Sequence, residues 1–137
     1  MNTKRLGLAS LAVFAVIFIL EGFIHGVLLA DLYQQTSSIW RPQAEIQGLM
    51  WLMWLGYLIL ASIFVFIYTK GYEANKSGLG QGIRFGLVVG ILLSVSRSLG
   101  WYPVLPIPAL LAFYWFVAGM MESVAAGITV GLIYRQS

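Results

Sequence analysis

Residues 6–30, LGLASLAVFAVIFILEGFIHGVLLA, form an apolar run that only two ionisable side chains interrupt, Glu21 and His25. A run of this length exceeds the ~20 residues an α-helix needs to cross a hydrocarbon core. It also exceeds the ~7–15 residue apolar region of a secretory signal, and no clear small-residue cleavage site follows it. It therefore reads as an uncleaved first membrane span.

Three more segments of the same kind follow, at about 46–68, 82–99 and 108–134. The whole chain of 137 residues is 60% hydrophobic and 9% charged, against about 25% charged in a soluble domain. The segments are apolar all round and do not alternate, which disfavours a closed β-barrel. The expected fold is an all-α membrane protein, a four-helix transmembrane bundle forming a single domain. Its immediate partner is the lipid bilayer.

The connections carry loop chemistry. DLYQQTSSIWRPQAE (31–45) is polar, with Pro42 suited to the first turn of the second helix, where its missing N–H costs nothing. TKGYEANKSGLG (69–80) offers Gly71 as a helix stop. In GWYPVLPIP (100–108) the prolines end one helix and open the next.

Orientation follows from the cations. Lys4, Arg5, Lys70, Lys76, Arg84 and Arg135 share one side of a four-span topology, and Arg41 lies on the other. The positive-inside rule then predicts that both termini are cytoplasmic. Trp40, Trp51, Trp54, Trp101 and Tyr102 fall towards the opposite interface, as an aromatic belt would. Arg84, near a helix end, is expected to snorkel to headgroups. The net charge of +3 thus records topology and does not point to nucleic acid.

Two helices carry long small-residue stripes. Gly82, Gly86, Gly90 and Ser94 recur at one-turn spacing in the third, and Gly119, Ser123, Gly127 and Gly131 in the fourth. Helices in lipid associate by close packing, and small residues permit that approach. The stripes are expected to join the third helix to the fourth within the chain, or to dock a second copy or a larger complex. Gly22 and Gly26 form a shorter motif of the same type.

Four ionisable residues fall at membrane depth: Glu21, His25, Arg97 and Glu122. Each costs about 2.5–3.5 kcal/mol near the bilayer centre on insertion scales, so such groups face the bundle interior. One reading is an interhelical clasp, Arg97 paired with Glu21 or Glu122 and His25 hydrogen-bonding beside it. The other is a polar site that relays protons or binds a cation, His25 being the side chain whose charge changes near neutral pH.

Chemistry beyond this finds little support. Glu21 and His25 offer two metal ligands on one helical face, and a metal usually takes three or four. Only Glu122 and Asp31 could add oxygens, so no metal or cofactor is expected. One histidine excludes a bis-histidine haem within one chain, and the absence of cysteine excludes thiolate chemistry. Ser94, Ser96 and Ser98 lack a catalytic constellation. GLGQG (78–82) lacks the preceding strand and following Lys–Ser/Thr of a phosphate loop.

The stretches HGVLLADLYQQT, IYTKGYE and GLGQGIRFGLVVG make the chain resemble the small four-span bacterial inner-membrane proteins. That resemblance implies a helical fold in a bacterial inner membrane and brings no activity and no site residues. The expected function is non-enzymatic: an assembly or accessory subunit, or a homo-oligomer packed through its small-residue faces. The alternative is a small proton- or cation-conducting transporter or channel using the polar cluster.

Overall fold

The computed structural model describes residues 3–134, and Arg135 of the charge argument lies outside them. The chain is all-α. Helix α1 spans Thr3–Phe23 and passes into a π-helical turn, Ile24–Leu28. A short α2 (Ala30–Gln35) and a 3₁₀ turn (Ser37–Ile39) precede the long α3, Gln43–Lys70. Then come α4, Gly78–Trp101, and α5, Ala109–Ile133. Four helical segments are long and apolar enough to cross a membrane: Thr3–Leu28, Gln43–Lys70, Gly78–Trp101 and Ala109–Ile133. The protein is a multi-span membrane protein, and its outward side chains suit lipid: Leu11, Ile19, Val88, Leu92, Leu99 and Phe113 are all exposed.

Helices α3 and α4 run longer than their apolar runs because polar residues at their ends still complete backbone ladders. Pro42 and Pro108 sit at the N-caps of α3 and α5, one residue before the first turn. Ser77 caps α4, its Oγ accepting from Gly80 N–H at 3.4 Å, so the glycines of GLG open a helix. Gly71 ends α3 as expected, with φ −107°, outside the left-handed region. The 31–45 connection is no simple loop. Its first half is α2 and the 3₁₀ turn, which fold back over the bundle end and pack Leu32, Tyr33, Ile39 and Trp40 on Ile107, Leu111 and Trp115.

Helix α4 packs most extensively on α5, α1 packs on both α3 and α5, and the backbones of α3 and α4 stay apart, bridged by Phe64 and Tyr68 against Phe85. The α4–α5 seam uses both stripes against each other. A Cβ on Gly82 would strike the Gly127 carbonyl oxygen, one on Gly86 the Ser123 carbonyl, and one on Gly119 the Ser94 hydroxyl. Gly131 meets Gly78, one turn beyond the expected stripe, and Gly90 meets Met120 and Ser123. By contrast Gly22 and Gly26 have nothing among the described residues within 4 Å of a built Cβ.

Two apolar cores result. One joins Ala9, Val13 and Ile17 to Phe64, Val65, Tyr68, Val130 and Tyr134. The other, at the opposite end, centres on Ile24, Leu29, Leu111 and Trp115. Between them lies a polar layer.

Candidate functional site

The polar layer is built from three helices. Glu21 comes from the last turn of α1, His25 from the π-turn, Arg97 from α4 and Glu122 from the middle of α5. The structure brings all four together. Arg97 Nη1 donates to Glu21 Oε1 at 3.3 Å, across 76 residues of chain. His25 Nε2 stands 3.3 Å from Glu21 Oε2. One donor atom each of Glu21, His25 and Glu122 lies within 4.8 Å of the other two. Asp31, the other oxygen candidate, is outside this group.

The exposures are unequal. Glu21 and Glu122 are buried, whereas the Arg97 side chain is 42% exposed. Arg97 thus reaches in from the surface to a carboxylate that does not reach out. Tyr57 of α3 lies beside Glu21 as well.

Behind His25 stands an aromatic clamp. Trp115 Nε1–H donates to the Tyr33 hydroxyl at 2.8 Å, and that hydroxyl shares a 2.6 Å hydrogen bond with His25 Nδ1. Trp40 closes over it, 5.6 Å from the Tyr33 ring and 6.2 Å from Trp115, with its own N–H given to Thr36. Trp40 therefore belongs to the clamp and not to a lipid-facing belt, whereas Trp51, Trp54, Trp101 and Tyr102 are exposed. Burial pushes the Tyr33 hydroxyl above its ordinary value, and the hydrogen bond from Trp115 opposes this.

The π-turn makes the clamp possible. Leu29 N–H bonds to Ile24 O, five residues back, at 2.9 Å. At about 100° per residue, Tyr33 would sit ~80° away from His25 around an unbroken α-helix. Absorbing one residue in the wider turn removes roughly 100° and leaves the two within ~20°. Tyr33 and Trp115 were not legible as site residues in the sequence. Trp115 had a signal, since it lies two turns before Glu122 on the same face of α5. Tyr33 had none without the π-turn.

A cleft of about 80 Å³ adjoins the carboxylates. Its floor is Glu21, Glu122 and Ser123, all buried. Its half-open rim is Leu60 of α3 with Leu93 and Arg97 of α4, the two helices whose backbones stay apart. A water needs roughly 10–15 Å³ on this measure, so several fit. Among the described residues, two side-chain atoms facing this region are buried without a hydrogen-bond partner, Ser94 Oγ and Glu122 Oε1, and His25 Nε2 is a third in the cluster. Towards the other end the cleft stops at the first core, where Val13, Val65 and Val130 are fully buried.

Arg84 makes a contact that the sequence did not suggest. It approaches Glu73 at 3.6 Å, and Glu73 also pairs with Lys76 at 2.6 Å. Gln81 holds the same connection through Glu73 N–H and the Glu73 and Lys76 carbonyls.

No protein-family model, curated protein or solved structure matches the chain. Its function is therefore argued from this geometry.

Proposed function

We propose that the protein is a small non-enzymatic transporter that takes up and releases a cation, a proton included, at the Glu21–His25–Glu122 cluster. The observation that carries this reading is an incomplete charge balance at membrane depth. Two buried carboxylates face one guanidinium, so an ionised pair retains one uncompensated negative charge unless a proton or cation joins it. Isolated buried charges cost several kcal/mol, and sites of this kind are retained where ions pass.

The cleft supports the same reading, because it leaves room for several waters beside the carboxylates, between α3 and α4. The apolar cores on both ends of the polar layer argue against a continuously open pore. The assembly reading has less behind it. The long stripes that motivated it are occupied by each other along the α4–α5 seam.

The test is flux in liposomes containing the purified protein, read with an internal pH dye under an imposed proton or cation gradient. Glu122→Gln and Glu21→Gln should each lower the rate at least tenfold, as a loss of ~1.4 kcal/mol in binding would. Wild-type vesicles that leak no faster than empty ones would overturn the proposal.

A further inference from the structure

The geometry points to a site for a divalent first-row transition cation formed by Glu21, His25 and Glu122, whose entry displaces the Arg97 guanidinium. This rests on the reading of the cluster as a cation site and names the cation class.

The first ground is spacing. His25 Nε2 faces Glu21 Oε2 at 3.3 Å without forming a hydrogen bond, and it has no other such partner among the described residues. Two ligands on a tetrahedral ion with bonds of ~2.0–2.2 Å stand about 3.4 Å apart, which this pair already matches. One carboxylate oxygen of Glu122 lies within 4.8 Å of a ligand atom of each of the other two residues, and small side-chain rotations can close that distance.

The second ground is unmet hydrogen bonding. Glu122 is 7% exposed, and its Oε1 is buried without a partner beside the other two ligands. A buried carboxylate oxygen left unpaired is costly, and a bound cation removes that cost.

The third is the support behind the histidine. Metal-ligating imidazoles hand their other N–H to an acceptor that fixes tautomer and ring orientation. With its proton on Nδ1, His25 donates to the Tyr33 hydroxyl at 2.6 Å and turns the Nε2 lone pair towards the carboxylates. Trp115 holds that hydroxyl in place from the other side.

Ligand type selects the ion. One imidazole nitrogen with two carboxylates and no thiolate suits Zn²⁺, Mn²⁺ or Fe²⁺ better than Ca²⁺ or Mg²⁺, which prefer oxygens alone. The adjoining cleft has room for water to complete the coordination.

Arg97 then becomes a resident counter-ion. It neutralises one of two carboxylates from a half-exposed position, whereas a dication neutralises both. The guanidinium and the ion cannot comfortably share Glu21, so one leaves when the other arrives.

The experiment is Co²⁺ titration of the intact, tag-free, chelator-treated protein in detergent, followed by cobalt ligand-field absorption, with Zn²⁺ as competitor. One Co²⁺ per chain is expected, displaced by Zn²⁺. Glu122→Gln or His25→Asn should abolish the bands, and Tyr33→Phe should weaken binding about tenfold or more, as loss of an outer hydrogen-bond partner does. Arg97→Gln should bind more tightly than wild type, an outcome that misfolding cannot mimic. Absence of the bands, bands that persist in Glu122→Gln, or weaker binding in Arg97→Gln would overturn the inference. Proton flux without cobalt binding would sink this inference and leave the transporter reading standing. Cobalt binding without flux of any ion would do the reverse.

Discussion

Arg97 shows how one residue can hold a site together and leave it open. Its partner Glu21 is buried while its own side chain is 42% exposed. Removing one member of a fully buried pair costs about 3–5 kcal/mol, and the solvent reach of this guanidinium should keep the loss below that range. Arg97→Ala is therefore expected to lower thermal stability in detergent measurably without abolishing the fold, and an unchanged melting temperature would contradict the pairing. Glu73 offers a second residue-scale test, outside the membrane. The hydrogen bond from Lys76 holds its carboxyl below the ordinary value, with Arg84 adding to the effect. A carboxylate depressed in the folded state stabilises above its unfolded pKa, and the contribution is lost as pH falls through the folded value. The 71–77 connection should thus exchange amide hydrogens faster only under acid, below the usual carboxylate range. Glu73→Gln should remove that pH dependence, read by hydrogen-exchange mass spectrometry.

At the scale of elements, the α4–α5 seam makes a sharp prediction. A Cβ at Gly82 meets a backbone carbonyl, which cannot move aside as a side chain tip can. Gly82→Ala should cost about 1–3 kcal/mol by overpacking. Gly56→Ala, on an open face of α3, should be neutral or stabilising by up to ~1 kcal/mol through helix propensity. Equal effects on unfolding at the two positions would refute the seam. This seam and the four spans were legible because their signals are local: apolar length, and small residues one turn apart. The stripe spacing alone left open whether it met a neighbour or another copy, and α5 lying antiparallel along α4 decides for the neighbour. Glu21, His25, Arg97 and Glu122 were legible as a group because each is expensive where it sits. Tyr33 was not, because its alignment depends on one π-turn bond between Ile24 and Leu29 that no periodicity announces. The α2 segment was read as polar linker for a related reason. Its helix is six residues long, and its packing on Leu111 and Trp115 supplies the stability that its own length does not.

At the scale of the whole molecule, a cleft between α3 and α4 reaches the carboxylates from the flank, and an apolar core closes the bundle on either end of them. The chain has no cysteine, so single cysteines can map this directly. Leu93→Cys, on the exposed rim of the cleft, should react with a small thiol reagent in detergent, and Val130→Cys, fully buried in the first core, should not. Equal reactivity at the two positions would mean that the cleft does not end where the structure places its end. The glycine seam also has a mechanical consequence. With backbone on backbone, α4 and α5 have few rotamers between them to absorb strain and should behave as one stiff beam. Compliance must then reside where side chains alone bridge two helices, along the line between α3 and α4. Any breathing that exposes the carboxylates to the far side would swing α3 as the moving leaf, with Phe64 and Tyr68 against Phe85 as its latch.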